Sequence, residues 1–403
     1  MQHNQAEQRV MFKAALQEAD AQEGAECNLQ VAADKLLIIL QQIIAYNRDS
    51  GGPAYEKDSK TAGKNPSQMP LLTTLILDYD GTITQKDTLH LLSAVACAPC
   101  TCSSPGNRPP SSPPNEVCAC KRQHQQWDAL VSQYLDDYER TAALATLQTN
   151  PSANSTATIS GSPSALTDYL QSFTPVESAS IARVAASRVL AGATRAAMRQ
   201  AGASVETREG WWDVVEVFRS AGKDVVVCSV NWSDDLIKGT VDAAAGGSEG
   251  DVMVISNSLV FEAGDKDRGE VSTGLIRQVC VTGVDKLHRV AEYMAARHFD
   301  GQDPTTADRT GATHLRTAVA IGDSVSDLPL LTHAGLGILI QPSASVASAC
   351  ERFGIPVRPL TTLMGGARTG EGGDGEDGWE WGTVHVAEDG WKEIRGVLER
   401  MME

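Results

Sequence analysis

The chain has 403 residues, 42% hydrophobic and 5% aromatic, with 51 acidic against 34 basic side chains and a net charge of -17. A field of that sign repels polyanions, so general binding to nucleic acid or to anionic membrane is not expected, whereas a small phosphate ester is still admissible because local groups and metal ions set the field inside a pocket. No run of about 18 apolar residues suggests a membrane span; the apolar stretch LLIILQQII, Leu36 to Ile44, is broken by two Gln. The start of the chain lacks the basic region, apolar stretch and cleavage site of a secretory signal and is not Arg-rich, so the expected location is cytoplasmic, with the nucleus as alternative. Its nine cysteines are not spaced as a disulfide framework, and reduced thiols are expected.

In chain order, residues 1–70 read as an extension, with helical patterns at Ala6 to Ala21 and Val31 to Tyr46 and a Gly/Ser/Lys/Pro linker from Asn47 to Pro70. LLTTLILDYDGT, Leu71 to Thr82, reads as a buried parallel strand running into a loop, the place where open α/β sheets hold their ligands. Residues 98–120 are dominated by Pro, Ser and Cys and read as a low-complexity loop. Helical patterns return from 121 to about 205, with a soft spot at Thr149 to Ser164 and a helix predicted over the Ala-rich stretch Ser178 to Gln200. From Trp211 onward helices and strands alternate: helix Trp212 to Ala221, strand Asp224 to Val230, strand Val252 to Ser256, helix Asp285 to Arg297, strand Thr317 to Ile321, helix Leu328 to His333, strand Gly337 to Ile340. That rhythm predicts a three-layer, doubly wound parallel α/β sheet. A turn or hairpin edge is expected at Asp265 to Gly274, a flexible acidic Gly-rich segment at 365–378 and a closing helix from Trp391 to Met402.

Four pieces lie where such a sheet places its strand ends. In DYDGT, Asp78 and Asp80 stand two residues apart after an apolar strand, which permits one carboxylate to attack phosphorus while the other moves a proton. A calcium loop or solvated turn is the bland alternative for DxDG, and the preceding apolar strand weighs against it. In VVVCSVNWS, Ser229 ends a strand and offers a hydroxyl to a phosphate oxygen, although a turn or helix cap is the commoner use of such a Ser. Lys286, in GVDKLHRV, opens a helix and can neutralise a phosphate; alone it reads equally as a solvated Lys. In AIGDSVSDLPLL, Asp323 and Asp327 offer hard oxygens to Mg2+, and Gly322 lets the backbone come close.

Taken in order, DYDGT, CS, K and GDSVSD resemble the four motifs of the haloacid dehalogenase superfamily over roughly residues 71 to 345. The resemblance implies a Rossmann-like core at 71–89 and 211–360, a helical cap at 90–210, and an acidic Gly-rich segment and helix at 361–403. It implies a Mg2+-dependent phosphatase in which Asp78 becomes phosphorylated and Asp80 serves as acid and then base. The metal would be held by Asp78, Asp323 and the backbone carbonyl of Asp80, with Asp327 in support; Thr82, Ser229, Asn231 and Lys286 would bind the phosphate of a small phosphorylated metabolite. Asp80 favours a phosphatase over a dehalogenase, and the chain has neither the DKTGT motif nor the membrane helices of P-type pumps. The rivals are a phosphotransferase or other hydrolase of the superfamily and a catalytically silent binding protein. The arrangement is like that of phosphoserine-phosphatase-like members; SVNWSDDLI, STG and GVDKL are also similar to fungal phosphatase-like proteins and to the phosphatase part of plant enzymes acting on thiamine monophosphate.

Other features have competing readings. Cys97, Cys100, Cys102, Cys118 and Cys120 admit a zinc site, but no framing elements surround them. Trp232 is placed in the pocket or the core, Trp211 and Trp212 between cap and core, and Arg183, Arg188, Arg195 and Arg199 on the solvated face of one helix. The sequons at Asn154 and Asn231 are discounted.

Overall fold

The computed structural model describes residues 72–97, 119–149, 163–247, 251–264, 269–297, 312–364 and 382–402. The two N-terminal helical patterns, the linker that follows, most of the 98–120 insert and the 365–378 segment lie outside these residues. Along the described chain run β1 (Thr74–Leu77), α1 (Leu89–Ala96), α2 (Ala119–Thr149), α3 (Pro163–Gln171), α4 (Thr174–Ser187), β2 (Ala191–Thr194), α5 (Arg195–Ala203), α6 (Trp211–Ser220), β3 (Asp224–Cys228) and α7 (Asp234–Ala244). There follow β4 (Val252–Ile255), β5 (Ser258–Ala263), β6 (Glu270–Arg277), α8 (Gly283–Arg297), α9 (Ala312–Leu315), β7 (Ala318–Gly322), α10 (Leu328–His333), β8 (Leu336–Ile340), α11 (Ala344–Phe353), β9 (Val357–Pro359), β10 (Val384–Ala387) and α12 (Trp391–Met402).

Seven strands form one sheet in the order β4-β3-β1-β7-β8-β10-β9, parallel at every pairing. The period of two along each strand sends alternate side chains to opposite faces. Leu75, Leu77, Val225, Val227, Val319 and Ile321 join one hydrophobic core, which α6, α7 and α12 share. Ile76, Val226, Cys228, Ala318 and Ala320 join the other, shared with α8, α10 and α11. Burial on both faces explains the nearly continuous apolar runs LIL, VVVC and AVAIG. The register sets Leu77 beside Val227 and Ile321, so the carboxyl ends of β3, β1 and β7 finish level with one another.

A second, antiparallel sheet has the order β2-β6-β5. Of the turn or hairpin edge expected at Asp265 to Gly274, residues 265–268 lie outside the described residues and 270–274 belong to β6, which pairs with β5 on one side and β2 on the other rather than with the main sheet. The single helix expected over Ser178 to Gln200 is broken into α4, β2 and α5. Arg188 closes α4 in the left-handed conformation with φ of 56°, and β2 gains a partner in β6 that helix propensity does not anticipate. Its four arginines consequently separate. Arg183 pairs with Asp137 at 2.9 Å, Arg188 donates to the Thr273 carbonyl at 2.7 Å, and Arg195 and Arg199 flank the buried Asp235 at 2.6 and 3.3 Å.

Residues 361–403 do more than form an acidic segment and a helix, because β10 inserts between β8 and β9. The apolar stripe of α12 (Trp391, Ile394, Val397 and Leu398) is buried in the main core. Trp211 is buried there too, with Trp212 edge-on to it at 5.2 Å. No helix among the described residues is long and apolar enough to cross a membrane. Because Ile394 is fully buried, Ile394→Ala should destabilise the protein by about 3 kcal/mol, read as a lower urea midpoint with an unchanged slope. An unchanged midpoint would mean that α12 is not part of the cooperative core.

Candidate active site

Each motif follows a buried strand or opens a helix beside one. Asp78 follows β1, and its backbone N–H donates to the Ile321 carbonyl at 3.0 Å. The chain then turns, with the N–H groups of Ile83 and Thr84 donating to the Tyr79 carbonyl at 2.9 and 3.0 Å. Gly81 takes φ of +80°, and a Cβ there would stand 2.3 Å from Asp323 Oδ2, so both backbone and space demand glycine. A Cβ at Gly322 would stand 2.5 Å from that of Asp327. The turn is braced from outside: Arg208 Nε donates to the Gly81 carbonyl at 2.7 Å, Trp391 Nε1 to the Thr82 carbonyl at 3.3 Å, and the fully buried Tyr79 shares a 2.7 Å hydrogen bond with Thr240.

Lys286, on α8 and 2% exposed, donates to Asp78 Oδ1 at 2.5 Å and to Asp327 Oδ1 at 2.8 Å. Thr82 Oγ1 donates to Asp323 Oδ1 at 2.9 Å and to Asp78 Oδ2 at 3.3 Å. Asp327 Oδ2 accepts from Ser324 Oγ at 2.7 Å, from Ser324 N at 3.0 Å and from Asp323 N at 3.2 Å. Asp78, Asp323 and Asp327 each present an oxygen, all within 4.8 Å of one another.

Asp80 is held apart from this group. Its Oδ1 accepts from Thr88 N at 2.9 Å and Thr88 Oγ1 at 2.7 Å, and its Oδ2 from Asn231 Nδ2 at 2.9 Å. The Asn231 amide, expected on a phosphate, is engaged here by Asp80 and Thr88, while its Oδ1 accepts from Ser233 N at 3.1 Å. Ser229 is buried at the end of β3, its Oγ accepting from Asn231 N at 3.1 Å. Beyond this loop Trp232 meets Trp127 of α2 edge-on at 6.3 Å.

Burial and the charge of Asp327 push the Asp78 carboxyl up to about 7 against the pull of Lys286. Burial, Asp78 and Asp327 push Asp323 up to about 8. Burial and Asp87 raise Asp80 to about 7, while the hydrogen bonds from Asn231 and Thr88 pull it down. Burial opposes the charged form of Lys286, but Asp327 and Asp78 outweigh it and hold its pKa well above the usual lysine value. Three crowded carboxylates, Asp78, Asp323 and Asp327, are a hard-oxygen donor set of the kind Mg2+ takes. Asp80 adds no side-chain oxygen to that cluster.

Thr88, Arg208 and Trp391 were not singled out from sequence. Thr88 carries the signal of a helix N-cap, which conceals any other use. Nothing local marks Arg208 or Trp391, which reach the loop from 127 and 309 residues away.

The haloacid dehalogenase-like hydrolase family matches residues 143–332, a span that holds Ser229, Lys286, Asp323 and Asp327 and begins after Asp78 and Asp80. The match covers a little under half of the chain, and the doubly wound sheet with the motifs at its strand ends agrees with it. The chain is 26% identical over 181 residues to the bifunctional TH2 protein, mitochondrial, of Arabidopsis thaliana, covering 44% of this chain and 26% of that protein. The match thus spans about a quarter of that relative's length. Among solved structures it is similar to an apo phosphoserine phosphatase (TM-score 0.34, 13% identity, 69% of this chain and 90% of that one). It is also similar to a HAD family hydrolase of Salmonella enterica serovar Typhi (TM-score 0.37, 16%, 70% and 67%) and to cytosolic 5'-nucleotidase IIIB bound to cytidine (TM-score 0.40, 12%, 81% and 85%).

The raised carboxyls give a signed pH dependence. With folded values of about 7 and 8 against an ordinary 3.8, their contribution to metal-free stability is complete below about pH 4 and is lost as pH rises through about 8. Because a bound cation needs the ionised forms, Mg2+ should raise the melting temperature more at about pH 8 than at about pH 5.5. At about 100 times its dissociation constant the stabilisation is about 2.7 kcal/mol. Equal Mg2+ shifts at both pH values, measured by calorimetry, would contradict this assignment of the donors.

Proposed function

We propose that this chain is a Mg2+-dependent phosphatase that hydrolyses a small phosphomonoester through a phosphorylated Asp78. The observation that carries the reading is the division of labour among carboxylates. Asp78 is clamped by Lys286 beside Asp323 and Asp327, and Asp80 is held separately by Thr88 and Asn231.

In this reading Asp78 attacks phosphorus as its carboxylate, and the bond to the leaving oxygen breaks as Asp80 protonates that oxygen. Asp80 then takes a proton from water, whose oxygen attacks phosphorus and frees Asp78. Lys286 neutralises charge on the transferred group, and Ser229 and Thr82 supply hydroxyls beside it. Mg2+, held by Asp78, Asp323 and the Asp80 carbonyl with support from Asp327, would supply positive charge against the phosphate. The burial that raises Asp78 to about 7 is the reason such charge is needed, because the nucleophile must be ionised. The helices between β1 and α6, with the β2-β6-β5 sheet, form the cap in this reading. The Trp127–Trp232 contact joins that cap to the loop after β3.

Phosphate release from a panel of small phosphomonoesters tests the proposal. Wild type should require Mg2+ and lose activity with EDTA. Asp78→Asn, which keeps the size and removes the attacking carboxylate, should lower kcat at least about 10³-fold without loss of fold. An active Asp78→Asn variant would exclude Asp78 as nucleophile.

A further inference from the structure

Thr88 stands at the N-cap of α1, where a threonine ordinarily accepts a hydrogen bond from its own helix; it makes no such bond. Thr88 is 3% exposed; its hydroxyl donates to Asp80 Oδ1 at 2.7 Å, and its N–H donates to the same oxygen at 2.9 Å. The Thr88 hydroxyl in turn accepts from Asn231 Nδ2 at 2.9 Å, and the same amide reaches Asp80 Oδ2 at 2.9 Å. Asn231 is 1% exposed and is fixed by Ser233 N and by its own N–H on Ser229 Oγ. Asp87 Oδ1 accepts from the first N–H of the helix, that of Leu89, at 2.8 Å instead, and Thr88 is left to grip Asp80 together with Asn231.

A carboxylate oxygen offers two acceptor sites. The two donors of Thr88 fill both on Oδ1, whereas Oδ2 receives one donor and keeps one site open. We propose that Thr88 is a positioning residue for proton transfer: by occupying Oδ1 it fixes the Asp80 carboxyl and leaves Oδ2 as the oxygen that gives and takes the proton. This rests on the reading of Asp80 as acid and base. The proton leaves Oδ2 for the departing oxygen as the P–O bond breaks, and returns to Oδ2 from water as the new P–O bond forms and Asp78 is released.

The value of kcat/KM covers steps up to the first irreversible one, so it isolates protonation of the leaving group. Phenyl phosphate, whose leaving oxygen is the more basic, depends on that proton more than p-nitrophenyl phosphate does. In the full chain with Mg2+, Thr88→Val should lower kcat/KM for phenyl phosphate by about 100-fold and for p-nitrophenyl phosphate by no more than about threefold. Thr88→Ser should restore both. Thr88→Cys keeps the size with a weaker donor and should show the same selectivity to a smaller degree; it carries the comparison if the valine variant does not fold, as judged by circular dichroism. Equal losses on both substrates would make Thr88 a structural residue only, and no loss on either would show that the contact is idle; each overturns the proposal. A wild type inactive on both esters would instead overturn the phosphatase reading, and this inference with it.

Discussion

The ammonium of Lys286, buried between Asp78 and Asp327, is the constraint on which the rest of the site depends. A lysine taken out of water is costly unless paired and fully hydrogen-bonded. Here the two carboxylates that pair with it come from different strand ends, so the charge ties α8 to the ends of β1 and β7. The pairing does not close the account of charge. Three crowded carboxylates against one ammonium leave two formal negative charges uncompensated, and burial and mutual repulsion raise Asp78 and Asp323 in consequence. A region built this way is stable only if protons or a divalent cation share it, which is the physical link between its packing and its proposed chemistry.

The sheet order explains why these groups meet at all. From β1 the chain builds outward through β3 and β4, then returns to the other side of β1 with β7 and β8. The reversal opens a crevice at the carboxyl ends of the strands, and the level register of Leu77, Val227 and Ile321 brings three strand ends to it together. The loop after β1 needs further support, because a turn through Gly81 is intrinsically mobile. Arg208, Trp391 and Tyr79 supply it from three separate parts of the chain. The C-terminal helix therefore contributes to the site as well as to the core.

What could be read from sequence follows from how local each signal is. β1, β3, β7 and β8 are apolar runs buried on both faces, and α12 has a clear apolar stripe, so each declares itself within its own span. β2 and β10 do not. AGAT has no strand signature and lies in an Ala-rich stretch, and VHVA is short and carries a histidine; each becomes a strand through a partner distant in sequence. The arginines of the same Ala-rich stretch behave likewise, since only the fold supplies the buried Asp235 that holds Arg195 and Arg199. At the site, the motif residues were legible because each follows a strand or opens a helix. Their partners were not, because Thr88 presents itself as an ordinary helix cap.

Asn231 shows why the loop after β3 and the Asp80 carboxyl cannot be treated separately. Its backbone N–H reaches Ser229 Oγ and its side chain reaches Asp80, so one residue links the hydroxyl at the end of β3 to the carboxyl in the loop after β1. Any shift of β3 moves both together. The link also passes through Thr88 into α1, the first helix after the motif. Displacing α1 would therefore pull on Asp80 before it disturbed Asp78, whose contacts run through Lys286 and Thr82 instead. Asp78 is thus anchored to the sheet and α8, and Asp80 to the start of α1, so the two carboxylates of one pentapeptide answer to different parts of the fold.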